Sequence, residues 1–459
     1  MLSKMNEYMR SNKDNMLSLL AELIEIPSVR GDATPGAPFG EEPKRALDKM
    51  LEICENMGLK TACCENVVGS ADYAPDGSEV ELGILCHLDV VPVEPANWSY
   101  PPFKLTEKDG ILYGRGVIDD KGPAVAALYA IKCIKDLGIP LKKGVRFIFG
   151  TDEENGSGDM EIYMKHEKMP PCVFTPDGSF PVINVEKGMM RSFFKGGYDG
   201  GSVRCFHGGS IPNAVPDKAY AEVLVSLDAV NNAIAEDKSG AVFTVEDIGG
   251  AVKISADGKS AHASTPEAGI NAVTALISLI NRLGFEGSQA DILKGLEKAF
   301  PCGETDAESV GLKAQDKTGA TTIVFSIFDM ENGECSGVVD VRFPTCLDLK
   351  TVEEKERAAF AAAGCELDRF MGDEPHCVDE DSEFVQALLR VYERVEGEKG
   401  RCIAIGGGTY VHHIDGGVAF GVERGDTDYH MHGADEFFPV EELLRDAVMF
   451  AAAIVEICG

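Results

Sequence analysis

Apolar residues recur along this chain with two periods, and their order predicts helices alternating with strands. Met16, Leu19, Leu20, Leu23 and Ile24 share one face of a helix that Pro27 stops. A second helix is predicted over 42–57, ending at Gly58. The short apolar run 83–86 reads as a buried strand, 145–149 as a second buried strand, and 172–175 as a third strand. An apolar helix over 123–137 separates the first two. Strand and helix alternating in this way imply a parallel sheet.

Near Val185 the pattern changes. Strands over 219–225, 252–254, 321–328 and 338–343, with helices over 271–283 and 292–300, predict a second, α+β unit. Helix and strand alternation returns near Asp379: a helix to Val395, a strand over 401–404, the run Gly406-Gly407-Gly408, and a closing helix from Val440. The fold expected is therefore α/β, with a mostly parallel central sheet flanked by helices formed by 1–184 and 377–459. An α+β domain over 185–376 is inserted in it.

Composition narrows the function. The 459 residues carry 43 Lys plus Arg against 76 Asp plus Glu, a formal net charge of -33. Binding nucleic acid or an anionic membrane needs clustered positive charge, so neither is expected as a partner. No apolar run approaches the roughly 20 residues that span a bilayer, and the first residues lack the apolar core of a signal peptide, so a cytoplasmic location is expected. The 14 cysteines contain no CxxC pair and read as reduced, mostly buried thiols.

The chemistry gathers where strands end. HLDVVP (87–92) follows the first buried strand, and alternation sends His87 and Asp89 to one side. A neutral imidazole can bind a metal through one nitrogen while the other donates to a carboxylate, which suits Asp89. Taken singly, His87 reads equally as a surface histidine beside a turn. Trp98, the chain's one tryptophan, suits a cleft wall or a packing anchor equally. GRGVIDDKG (114–122) is too glycine-rich for a regular strand, and its backbone must turn tightly. TDEENGS (151–157) and PDG (176–178) follow the next strands. Carboxylates gathered at one edge repel unless cations lie among them.

These motifs, followed by AHASTPEAGINA (261–272), DVRFP (340–344), GGGTY (406–410) and HGADE (432–436), resemble in order those of the di-zinc metallopeptidase and aminoacylase family. That family includes carboxypeptidase G2 and acetylornithine deacetylase, and the similarity is greatest to its dipeptidase V-like and carnosinase-like dipeptidases. The resemblance covers nearly the whole chain. It implies a zinc-peptidase-like catalytic domain, an inserted lid, and two Zn2+ per chain, with Mn2+ or Co2+ as substitutes. His87 and Asp177 would bind one zinc, Glu154 and His432 the other, and Asp119 would bridge them. His430 competes with His432 by distance along the chain. Glu153 would be the general base, Asp89 the partner of His87, and the 119–120 peptide bond would be cis. His262 would stabilise the oxyanion and Arg342 would grip the substrate carboxylate, with Asn213, Gly407, Gly408 and Thr409 completing that pocket.

The resemblance thus implies a zinc-dependent dipeptidase acting on small peptides. An N-acyl amino acid deacylase of the same fold and a non-catalytic zinc-binding homologue are the alternatives. One departure bears on the subsites: the family's pattern continues GGTYA with an arginine, whereas here Val411-His412-His413 follow Tyr410. The long insertion, as in the dipeptidase V type, implies a monomer that completes its own site.

Overall fold

The computed structural model describes residues 1–425 and 427–459. They divide into two compact units, one of Met1–Val185, Cys377–Ile403 and Gly408–Gly459, the other of Glu186–His376 and Ala404–Gly407.

The sheet of the first unit runs Lys60–Cys64, Val68–Tyr73, Gly144–Gly150, Val80–His87, Cys172–Thr175, Val418–Ala419, Val182–Glu186. Its centre, from Gly144–Gly150 to Val418–Ala419, is parallel, as the alternation of strands and helices predicted. Antiparallel pairs flank that centre on both sides. Alternation sends the apolar positions of the central strands to two faces, both covered. Ile84, Cys86, Phe147, Phe149 and Phe174 enter the core formed with helices Lys121–Asp136 and Val440–Cys458. Leu85, Ile148 and Val173 pack on the other side against Met160, Tyr163 and Tyr410. Both faces are dry, so both must be apolar.

Parallel neighbours end at the same edge. Segments 87–89, 151–154 and 176–178 therefore leave three adjacent strands side by side, where open α/β sheets bind ligands. The helix predicted to start at 123 starts at Lys121. Gly122 makes that start possible: a Cβ there would lie 1.9 Å from Val117 O, and its amide donates to Gly116 O. Among the described residues no helix is long and apolar enough to cross a membrane. All 14 cysteines are free thiols, but only six are buried, fewer than expected, and Cys63, Cys346 and Cys377 are exposed.

In the second unit an eight-stranded sheet runs Val242–Asp247, Val252–Asp257, Lys218–Val223, Val203–Gly208, Thr322–Glu331, Glu334–Phe343, Gly188–Gly197, Cys365–Asp373, antiparallel throughout. Helices Ala272–Arg282, Ser288–Ala299 and Leu349–Ala362 supply its core. A titratable carboxyl is enclosed on that side. Glu356, fully buried, accepts a short hydrogen bond from the Ser192 hydroxyl, and burial pushes its carboxyl up to about 8. A carboxyl raised in the folded state contributes stability that is present below its unfolded value, near 4.5, and lost as pH rises through about 8. Glu356→Gln keeps the acceptor and removes the titration. The variant is expected to gain stability over the parent as pH rises from 5 to 8, by on the order of a few kcal/mol, read as the difference in urea unfolding free energy.

Candidate metal centre and its surroundings

Two groups of three donors lie at the carboxyl edge of the first unit's sheet: His87, Asp119 and Asp177, and Asp119, Glu154 and His432. Asp119 belongs to both. Its Oδ1 is 3.0 Å from His87 Nε2 and its Oδ2 2.9 Å from His432 Nε2, so one carboxylate presents an oxygen to each group. Asp177 Oδ2 is 3.8 Å from His87 Nε2, and Glu154 Oε2 is 3.2 Å from His432 Nε2. His430, the competitor of His432, is not in either group; its ring stands edge-on to Phe437.

Asp89 ties the groups together. It is fully buried, its backbone oxygen lies 3.0 Å from His87 Nδ1, and its two carboxylate oxygens accept the amides of Glu153 and Glu154 at 3.2 and 3.1 Å. With Nδ1 so engaged, the Nε2 lone pair is left for a metal. The donor set fits such an ion. His87 Nε2 and Glu154 Oε1 are enclosed without a well-aligned hydrogen bond, which buried polar atoms rarely tolerate. Oxygen and imidazole nitrogen are the ligands of zinc and of other divalent transition metals.

The electrostatics lead the same way. Burial, with the charges of Asp119 and Glu154, pushes the Asp177 carboxyl up to about 7. Burial and the neighbouring Asp177, Glu154 and Asp89 hold Glu153 well above the usual carboxylate range. Hydrogen bonding to Asp119 and Glu154 raises His432 to about 11. Burial opposes a charged His87, yet Asp119 and Asp89 hold it well above an ordinary histidine. Each shift reflects crowded buried negative charge, which a bound cation would offset, so metal binding there would release protons.

Several residues that carry this edge were not singled out from the sequence. Glu436, fully buried, accepts the amides of Gly116, Ile118 and Asp119 and a short hydrogen bond from the Arg115 guanidinium. It joins the segment bearing His432 to the loop bearing Asp119. Arg115 in turn lies over the ring of Trp98, 5.3 Å from its centroid, so the tryptophan anchors packing. Asp120 accepts the amide of His87 at 3.1 Å, and the Asp119–Asp120 peptide is cis. The Tyr410 hydroxyl donates a short hydrogen bond to Asp159, both over Gly150, where a Cβ would lie 2.0 Å from that hydroxyl. A buried tyrosine over a required glycine has no periodic signature. Thr409 caps the short turn Tyr410–His413, accepting the amide of Val411, and Gly408 precedes it. His412 and His413 stand edge to face in that turn.

The remaining candidates belong to the second unit, and there they converge. Ala214 pairs with His262, and the Ala263 amide donates to Asn213 O, so Asn213 and His262 occupy neighbouring strands of one loop. Ala263 packs on Val215 and Val324. Its carbonyl accepts the Thr322 hydroxyl, and Thr322 is the cross-strand partner of Arg342. His262 Nδ1 is 2.7 Å from the Ser264 hydroxyl. Arg342 donates to the carbonyl of Gly406, the residue before Gly407.

Comparison with known proteins identifies the family. The model of peptidase family M20/M25/M40 matches residues 83–456. A Beta-Ala-Xaa dipeptidase of Lactobacillus delbrueckii subsp. lactis is 32% identical over 477 residues, spanning 98% of this chain and 97% of the relative. The crystal structure of human carnosine dipeptidase 1 superposes with a TM-score of 0.62 at 17% identity, covering 99% and 98% of the two chains. That of the di-peptidase Dug1p from Saccharomyces cerevisiae gives 0.63 at 14% identity, with the same coverage. The solved structures show the shared fold, and the family model with the 32% relative shows descent: the chain belongs to peptidase family M20/M25/M40, and is a hydrolytic peptidase.

Proposed function

We propose that this peptidase is a dipeptidase that works with two zinc ions, one held by His87, Asp119 and Asp177, the other by Asp119, Glu154 and His432. The observation that carries this reading is the Asp119 carboxylate with one oxygen toward each histidine. When bound, the metals would polarise the scissile carbonyl and lower the pKa of water toward neutrality. The chain's own residues supply the rest. Glu153 takes the proton of the attacking water and delivers it to the leaving amine. Asp89 fixes the ring of His87 and the backbone of Glu153 and Glu154. His262 donates to the oxyanion that forms at the carbonyl carbon. Arg342 receives the C-terminal carboxylate of the substrate, with Asn213, Gly407, Gly408 and Thr409 lining that subsite.

The relatives named as dipeptidases support a dipeptide substrate. An N-acyl amino acid presents the same carboxylate, so the test compares the two. Zinc-loaded protein is incubated with a dipeptide panel and with N-acetyl amino acids; release of free amino acids from dipeptides is expected, and exclusive release of acetate would overturn the reading in favour of a deacylase.

We also infer a cytoplasmic enzyme that is active as a monomer, its own His262 serving its own site. Inactive Glu153→Ala and His262→Ala proteins, mixed in equal amounts, are then expected to recover no activity. Recovery, together with a dimer mass in solution, would contradict it.

A further inference from the structure

Asp340 lies one turn of the pleat from Arg342 on the strand Glu334–Phe343, so both side chains face the same way. It is fully buried, and its carboxylate is shared by two guanidiniums. Arg342 Nε donates to Oδ1 at 2.7 Å and Arg342 Nη2 to Oδ2 at 3.3 Å. Arg191, the cross-strand partner of Asp340, donates to Oδ2 from Nε and Nη2 at 3.2 and 3.1 Å. Arg342 Nη1 donates to Gly406 O at 3.3 Å.

A guanidinium has five N–H groups in a fixed plane. Three of those of Arg342 are taken, by Asp340 and Gly406. The two that remain sit one on each terminal nitrogen, a pair able to meet both oxygens of one carboxylate. A free arginine side chain would lose several rotamers on meeting a substrate, whereas one already clamped loses few. Arg191 adds a second cation to the same buried carboxylate, so the cluster keeps a net positive charge while Arg342 stays oriented.

We propose that Asp340 is a positioning residue for substrate recognition: it clamps the Nε–Nη2 edge of Arg342 so that the remaining N–H pair is held ready for the substrate's α-carboxylate. This rests on the role proposed above for Arg342. Arg191 secures Asp340 in turn.

The test measures kcat and KM of the full-length, zinc-loaded enzyme on a dipeptide and on the same dipeptide amidated at its C-terminus. The parent is expected to prefer the free carboxylate by ~30–100-fold in kcat/KM, the scale of a desolvated charge pair. Asp340→Asn is expected to reduce that preference to a few-fold, chiefly by raising KM for the free dipeptide, while the amide is turned over as by the parent. A general structural role would lower both substrates alike, and that result would overturn the inference. Zinc content and the urea unfolding midpoint are measured alongside. Should Asp340→Asn fail to fold, Asp340→Glu, which keeps the charge but moves it by one methylene, is expected to show the same loss of preference. A parent with the preference and variants that retain it would overturn the role of Asp340 alone. A parent without any preference would overturn the reading of Arg342 and the inference with it.

Discussion

Asp119→Ala is expected to abolish metal binding at both positions and, with it, activity. No other residue belongs to both donor groups, so its loss leaves each with one histidine and one carboxylate. Replacing a residue that only orients a ligand typically costs 10–100-fold in metal affinity, and removing a shared ligand should cost more. Two metals per chain in the parent and fewer than about 0.2 in the variant, after dialysis against buffer with micromolar zinc, is the expected result by elemental analysis. Asp89→Asn provides the contrast: it keeps every ligand, and its affinity should fall only within that 10–100-fold range. A variant at Asp119 that kept two tightly held metals would remove the shared carboxylate from the scheme.

Glu153→Ala should do the reverse. The side chain belongs to neither donor group, and its amide is held by Asp89 whatever side chain it bears. Metal content should stay at the parent's level and KM should change little, while kcat falls by ~10²–10⁴, the usual contribution of a positioned general acid–base group. Glu153→Gln, equal in shape and unable to take a proton, should fall as far. Activity within tenfold of the parent in either variant would move the proton-transfer role elsewhere.

How much of this was legible in the sequence varies by element, for physical reasons. The central strands were readable because both faces are buried, and a run such as Gly83-Ile84-Leu85-Cys86 has no alternative use. The antiparallel strands Lys60–Cys64, at the sheet edge, and Val68–Tyr73, next to it, were not, since the first is largely exposed and the second mixes Gly, Ser and Asp into its few positions. Helix Leu2–Ser11 buries only Met5 and Met9, too few positions to establish a period. At the metal centre, the HGADE motif favoured His432 as a candidate ligand, while distance along the chain left His430 as a competitor. The fold separates the two, turning the His432 ring toward Asp119 and the His430 ring onto Phe437. Glu436 and Asp340 each sit inside a motif, HGADE and DVRFP, that assigns them no partner. Each proves fully buried: Glu436 takes amides and a guanidinium from 115–119, far away in sequence, and Asp340 takes Arg191 of the neighbouring strand as well as Arg342 of its own. Pairings of that kind depend on strand register, which local periodicity does not encode.

The reading of the chain as a two-metal dipeptidase is tested most directly by titrating metal-free protein with Zn2+ while following release of amino acids from a dipeptide. Activity should be absent without metal, rise with added zinc, and level off at two ions per chain. Full dipeptide hydrolysis by the metal-free protein, or a plateau in bound zinc with no hydrolysis at all, would contradict it.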